Sequence, residues 1–300
     1  MTHIAVLGSA NMDLVAYVAK APQRGETVTG REFLEIPGGK GVNQAIAAAR
    51  AGADVSMIGA VGTDSFGTGL RNALEHSGVE TGHLRTNEGR SGVAHIVVDD
   101  EGGNAIVVIP GVNATVDHLA TGDENLIASA QALLLQLEIP LAAVTAGAGT
   151  ARRHGVRTVL TPSPVQPLPP ELLDSVDLLV ANEREAAALS GVPEPLGAAA
   201  ALLDRVGEVV ITLGAAGCLY AARGAEPLTV PAPRVTAVDS TGAGDTFVGT
   251  LAVALTEGRP MTDALVWASA AASLAVQRIG AAPSMPTRPE IDAQAAGVTA

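Results

Sequence analysis

Near the C-terminal end the residues Val238-Asp239-Ser240-Thr241-Gly242-Ala243-Gly244-Asp245-Thr246-Phe247 combine two closely spaced glycines, a carboxylate and the start of an alanine-rich run. Glycines let the backbone approach a ligand before a helix that the pattern starts at about Thr246. The first amide groups of a helix have no intrahelical partner and carry the positive end of its dipole, so a phosphate is well placed there. Asp245 adds chemistry to that cradle. A carboxylate in the first turn repels a bound phosphate unless a proton donor lies between them, and a substrate hydroxyl is such a donor. Taken locally, the same residues also make an ordinary tight turn with an acidic helix start, and the rest of the chain has to decide between the two.

A second glycine run, Pro37-Gly38-Gly39-Lys40-Gly41-Val42-Asn43, precedes an alanine-rich segment from Gln44 to Ala51 that stops at Gly52, the pattern of a helix with a glycine stop. Lysine is scarce, with Lys20 and Lys40 the only two against sixteen arginines. The pattern puts Lys40 in a sharply bending loop and Asn43 in the first helical turn, so that both face one small polar ligand. After a strand from Ile4 to Leu7, the turn Gly8-Ser9-Ala10-Asn11 delivers Asn11 and Asp13 just beyond the strand's carboxyl end, where open α/β sheets bind ligands. Both residues are also ordinary turn formers. Glu138, Asn182 and Thr212 fall at the carboxyl ends of later strands.

The elements that must position these groups follow from length and pattern. The 300 residues are 47% hydrophobic, enough for one large core-bearing domain over 1–300. Strands near 55–61, 132–137, 156–160, 178–180 and 209–213 alternate with helical segments, ending in long helices at about 246–257 and 262–276. That rhythm predicts a three-layer α/β/α fold with a mostly parallel central sheet. Two regions break it: strand-like sequence at about 13–36, and a hairpin at about 92–110 turning through 99–103. Together they predict a small β-sheet lid over the crevice, and covering its exposed face makes a homodimer through the lid the expected assembly. A net charge of −13 argues against nucleic acid or an anionic membrane as partner. Cys218 is the only cysteine and the six histidines do not cluster with it, so no disulfide framework is expected and a reducing cytoplasm fits. No basic region precedes the first apolar run, so no export or membrane segment is expected.

The chain resembles the ribokinase-like, PfkB-type sugar kinase family along essentially its whole length. Gly38-Gly39-Lys40-Gly41-Val42-Asn43 and Asp239-Ser240-Thr241-Gly242-Ala243-Gly244-Asp245-Thr246-Phe247 match the two family signatures. Asn182-Glu183-Arg184-Glu185 looks like the Asn-x-x-Glu element, and Thr212-Leu213-Gly214-Ala215-Ala216-Gly217 looks like the nucleotide loop. The resemblance implies ATP-dependent phosphorylation of a sugar, with D-ribose and its 5-hydroxyl as acceptor. It makes Asp245 the general base and gives the transferring phosphoryl group the N–H groups of Gly242, Ala243 and Gly244. It assigns the sugar to Asn11, Asp13, Gly39, Lys40, Asn43 and Glu138, covered by Ala94, Ile96 and Val108. It assigns ATP to Asn182, Thr212, Gly214, Gly217 and Gly244, with Glu185 organising Mg²⁺. A potassium site is implied at Asp239, Thr241, Ala275, Arg278, Gly280 and Ser284. The chain departs from many relatives at Ser240, where threonine is common, and at Ser269, where an Asn or His beside adenine is common.

A same-fold kinase for fructose, deoxyribose or adenosine would share both signatures, and a non-catalytic sugar or nucleotide sensor would share the fold. A dinucleotide-dependent oxidoreductase would need a three-glycine fingerprint after the first strand, which is missing.

Overall fold

A computed structural model describes residues 2–100 and 103–298. The hairpin turn expected at 99–103 therefore includes two residues, Glu101 and Gly102, outside the described set. The first strand, β1 (His3–Leu7), sets the architecture, because successive side chains point to opposite faces and all four residues from Ile4 to Leu7 are fully buried. Ile4 and Val6 belong to one hydrophobic cluster and Ala5 and Leu7 to another. A strand covered on both sides in this way needs helices above and below it.

Small-sheet strands β2 (Asn11–Tyr17) and β3 (Glu32–Gly38) follow, then β4 (Asp54–Gly62), β5 (Val79–Glu80) and β6 (Leu84–Asn87). After the small-sheet hairpin β7 (Gly92–Val98) and β8 (Asn104–Ile109) come β9 (Ala132–Leu135), β10 (Arg157–Leu160), β11 (Leu178–Asn182), β12 (Glu208–Thr212), β13 (Cys218–Ala222) and β14 (Leu228–Val230). The large sheet runs β14-β13-β12-β11-β10-β9-β1-β4-β5, with β6 also paired to β4. It is parallel except at the β12–β13 and β13–β14 pairs. One face packs on α1 (Lys40–Arg50), α2 (Ser65–His76), α8 (Ala243–Thr256), α9 (Met261–Ala275) and α10 (Arg288–Val298). The other packs on α3 (Asp123–Ser129), α4 (Leu141–His154), α5 (Pro170–Leu173), α6 (Glu183–Ser190) and α7 (Pro195–Leu203). The expected three-layer α/β/α arrangement with a separate small sheet is what the chain adopts.

Four boundaries differ from the sequence expectation, each by a few residues that matter. Lys40 is the first residue of α1 rather than part of a loop, with Gly39 at φ 87° as its N-cap. Asn11 and Asp13 lie inside β2, so the chain resumes an extended course straight after the Gly8–Ala10 turn. Helix α8 starts at Ala243 rather than near Thr246, after Gly242 in the left-handed region at φ 73°. Strand β9 ends at Leu135, two residues early. The terminal helix α10 was not foreseen, although Thr287 and Glu290 carry a helix-start spacing, and Glu290 accepts from both Thr287 N–H (2.7 Å) and its hydroxyl (2.8 Å). α10 docks on α9 around the fully buried Trp267, whose indole N–H donates to Asp292 (2.8 Å) under the guanidinium of Arg259.

The small sheet has the order β3-β2-β7-β8 and a minor core of Val15, Ile36, Ala94 and Ile96. Ala94 and Ile96 are buried as expected, but Val108, opposite Ala94, is 45% exposed. The whole edge strand β8 is open to solvent, with Ile106, Val107 and Ile109 also more than two-fifths exposed. No single helix among the described residues is long and apolar enough to cross a membrane.

Candidate active site

The Gly8–Ala10 turn, the start of β2, the start of α1 and the segment after β9 converge on the Glu138 carboxylate. Its Oε2 accepts from Ser9 Oγ (2.5 Å), the Lys40 backbone N–H (3.1 Å) and Asn11 Nδ2 (3.3 Å). Among the described residues Oε1 has no partner, which leaves one carboxylate oxygen for a ligand. The Asn11 amide is held by a residue the sequence did not single out. Asn113, fully buried in a 3₁₀ turn (Gly111–Thr115), donates to Asn11 Oδ1 (2.8 Å) and to the Ala10 carbonyl (3.0 Å), and accepts from the Ala10 N–H (3.0 Å). With Asn11 Oδ1 so engaged, its NH₂ must face Glu138.

Asp13 is 7% exposed and packs so closely on β3 that a Cβ at Gly38 would fall 2.3 Å from its Oδ2. Burial, then the negative charges of Glu138 and Asp245, push the Asp13 carboxyl up to about 7, with Lys40 acting in the opposite direction. Burial works against the charge of Lys40, yet Asp245, Glu138, Glu185 and Asp13 around it raise its pKa above the ordinary lysine value. Of these, Glu138 and Asp245 also act on Asp13 around the one ammonium, which is an arrangement for donating to and accepting from several hydroxyls of one small molecule.

Asp245 lies in the first turn of α8 and is 7% exposed. Its Oδ2 accepts from Asn43 Nδ2 (3.1 Å) and its Oδ1 from Gln44 Nε2 (3.0 Å). Gln44 is a second site residue that the sequence reading passed over. In the turn before it, the Ala243 N–H already donates to Ser240 O (3.2 Å). The N–H groups of Gly242, Gly244 and Asp245 have no acceptor among the described residues and sit at the positive end of the helix. Gly242 has φ 73°, and a Cβ on it would lie 2.9 Å from that of Ala281, so both conformation and space demand glycine.

Beside this turn lies a cavity of about 430 Å³ lined by Thr212, Gly214, Gly217, Gly244 and Ser269 together with apolar residues of α9 and of the segment after β14. Asn182 does not line it but pairs in register with Thr212 on the adjoining strand. Asn182 and Glu185 form a reciprocal cap at the start of α6, each side chain accepting from the other's backbone N–H at 2.9 Å. Ser269 is 5% exposed, with the Cys218 sulfur 4.0 Å from its hydroxyl. Burial pushes that thiol up to about 11, so it is inert at neutral pH. A second cavity, about 280 Å³, runs beneath the small sheet past Asp13, Ile36 and Ile96 to Asp239 and Thr241. A groove of about 680 Å³ contains Arg152, Arg157 and Glu208 and opens at the opposite ends of the strands, away from every residue above.

The remaining expected residues fall into two hydrogen-bonded groups. Asp239 Oδ1 accepts from the Thr241 N–H (2.9 Å) and hydroxyl (2.6 Å), while its Oδ2 accepts from the Gly280 N–H (2.8 Å). The Arg278 N–H donates to the Ala275 carbonyl (3.0 Å), and its guanidinium reaches the Ser284 carbonyl (3.4 Å) and Glu290 (2.5 Å).

Residues 1–288 match the description "pfkB family carbohydrate kinase". The chain is 42% identical over 294 residues to a ribokinase of Bacillus subtilis, covering 97% of this chain and 99% of that protein. It is 39% identical over 309 residues to a ribokinase of Schizosaccharomyces pombe, covering 97% of each. The structure of Arabidopsis thaliana ribokinase complexed with ribose and ATP superposes with a TM-score of 0.91 at 33% identity, covering 98% of this chain and 99% of that one.

The Asp13 environment has a thermodynamic consequence. Because the folded-state carboxyl titrates near 7 rather than 3.8, the native protein holds a proton that the unfolded chain has released across that interval. The contribution is present below about pH 4 and is lost as pH rises through about 7. Asp13→Asn should therefore raise the melting temperature of the ligand-free protein at pH 8, by roughly 2–4 °C per kcal/mol of relieved strain, and leave it nearly unchanged at pH 4. Thermal melts of both proteins across that range check this. An equal shift at both pH values would show that Asp13 bears no buried charge.

Proposed function

The chain belongs to the pfkB family of carbohydrate kinases, and from that footing we propose that it transfers the γ-phosphoryl group of ATP to the 5-hydroxyl of D-ribose. The observation that carries this reading is the placement of Asp245. It is a buried carboxylate in the first turn of a helix whose start has free N–H groups, within electrostatic reach of Lys40 and Asp13, and its neighbour Gly244 lines the cavity that holds Thr212, Gly214 and Gly217. Sequence kinship to ribokinases over nearly the full chain supports ribose as the acceptor.

Ribose offers several hydroxyls, and the crevice offers matching groups. The free oxygen of Glu138 and the Asp13 carboxylate accept, Lys40 and the amides of Asn11 and Asn43 donate, and Gly39 permits close approach. Asp245 accepts the proton of the attacking hydroxyl. In a loose phosphoryl-transfer transition state that proton leaves late, so an ordinary carboxylate suffices and charge stabilisation by the Gly242, Gly244 and Asp245 N–H groups does most of the work. Ala243, whose N–H is engaged with Ser240, contributes by closing the turn. ATP lies along Thr212, Gly214 and Gly217 with Asn182 at the edge. Glu185 keeps one carboxylate oxygen outside its capping interaction, which suits water-mediated retention of Mg²⁺, the ion that neutralises charge on the phosphates. We assign K⁺ to the set around Asp239, comprising one carboxylate, the Thr241 hydroxyl and the carbonyls of Ala275, Arg278, Gly280 and Ser284, with the Arg278 guanidinium bridging the Ser284 carbonyl and Glu290.

We further assign the chain as one catalytic domain whose small sheet acts as a lid, working in the cytoplasm as a homodimer with the apolar β8 edge of each lid covered by the other copy. Sedimentation giving a monomer at micromolar concentration would remove the dimer assignment.

Asp245→Asn should keep the fold and ATP binding while lowering kcat by roughly 10²–10⁴. Turnover near the wild-type rate would remove Asp245 as base. An ATP-coupled assay over ribose, deoxyribose, fructose, tagatose and adenosine should give the highest kcat/KM on ribose, and a higher value on any other acceptor reassigns the substrate. Turnover should rise several-fold in K⁺ over tetramethylammonium at matched ionic strength and saturating Mg²⁺, with the gain lost in Asp239→Ala. Equal rates in both salts would rule the potassium site out.

A further inference from the structure

Two glutamines, both fully buried, lie behind the Asp245 carboxylate. Gln44 Nε2 donates to Asp245 Oδ1 (3.0 Å) and to Thr161 Oγ1 (3.1 Å). Gln44 Oε1 in turn accepts from Gln136 Nε2 (2.6 Å). The polarity of this chain is dictated from its inner end. A carboxylate only accepts, so Gln44 must present NH₂ to Asp245, its carbonyl must then face Gln136, and Gln136 must present NH₂ to it. The Gln136 carbonyl, last in the chain, is buried without a partner among the described residues, and a Cβ at Gly8 would lie 2.0 Å from it. Gly8 is therefore the one residue type that admits the Gln136 side chain in this position.

Burying an unpaired carbonyl costs about 1–3 kcal/mol. Neither glutamine side chain hydrogen-bonds Asn11, Asp13, Lys40, Asn43 or Glu138, and Gln136 does not hydrogen-bond Asp245. We infer that Gln136 and Gln44 form a one-directional amide relay that fixes the orientation of the Asp245 carboxylate, with Gln136 a positioning residue acting through Gln44. This rests on the assignment of Asp245 as base. Without the Gln136 donor the Gln44 amide is free to turn its carbonyl toward Asp245, which repels the carboxylate and swings it away from the attacking hydroxyl. The relay therefore acts on turnover and leaves capture of ribose and ATP to other residues.

Gln136→Met keeps the volume and removes the donor, and Gln44→Met removes the donor to Asp245 itself. Each should lower kcat by roughly 10–100-fold, with both KM values within about twofold of wild type. Two couplings distinguish a relay from altered packing. The double variant should lose no more than the worse single one, and Gln136→Met should have no further effect in an Asp245→Asn background. Unchanged kcat in Gln136→Met, or the same fold-loss with and without the Asp245 carboxylate, would overturn the relay. Should Gln136→Met fail to fold, Gln44→Met measured alone and combined with Asp245→Asn carries the same decision. Near-normal turnover by Asp245→Asn itself would instead remove the base assignment beneath the relay, a result visible in that single variant.

Discussion

Three carboxylates confined with one ammonium constrain everything around them. Asp13, Glu138 and Asp245 cannot all be ionised in a shared dry crevice without cost, and Lys40 offsets only part of it. The fold answers by treating each carboxylate differently. Glu138 is tied through one oxygen to Ser9, Asn11 and the first amide of α1. Asp245 has an amide donor on each oxygen. Asp13 has a tight steric seat against Gly38, and burial with the neighbouring negative charges pushes its carboxyl up to about 7. The helix starts at Lys40 and Ala243, the glycines that precede them and the buried amides of Asn113 and Gln44 are all accounted for by the need to hold these charges apart in fixed positions while one face of each stays open.

The local part of this arrangement was legible in the sequence, and the long-range part was not. The glycine runs before α1 and α8 announce helix starts and anion sites within ten residues, so Lys40, Asn43, Asp245 and the Gly242–Gly244 turn could be read directly. The starts themselves were placed three or four residues late because Gly41 and Gly244 are poor helix formers by propensity. At Gly41 the reason for glycine is tertiary, since a Cβ there would lie 2.6 Å from the backbone of Ser9. Asn113, Gln44 and Gln136 carried no signal. Their partners lie 102, 201 and 92 residues away, and a buried amide in a helix or after a strand looks like any other polar residue until the chain is folded. The terminal helix α10 had a readable start at Thr287-Arg288-Pro289-Glu290 that was overshadowed by the loop before it.

The two cavities differ in what lines them, and on the proposed assignment they divide the work of recognition unequally. The one beside Ser269 is walled mostly by small apolar side chains and glycine backbone, so it selects by shape and surface. The crevice around Asp13 selects by hydrogen-bond count, which discriminates far more sharply because a missing hydroxyl leaves a buried charge unpaired. Under the assignment proposed above, stringency for the acceptor and tolerance for the donor are built from different materials.

Strand β2 carries Asn11 and Asp13 at one end and forms an inner strand of the small sheet along the rest of its length, paired residue by residue with β3 and β7 from Asn11 to Tyr17. The sheet consequently has no break in its ladder between its outer edge and the Asn11 and Asp13 end. A tilt of the sheet is transmitted along a hydrogen-bonded ribbon straight to the Asp13 carboxylate, and a pull on that carboxylate is transmitted back out. If the sheet is the lid proposed above, its cover and its ligand-meeting end are one lever with a short arm inside and a long arm in solvent.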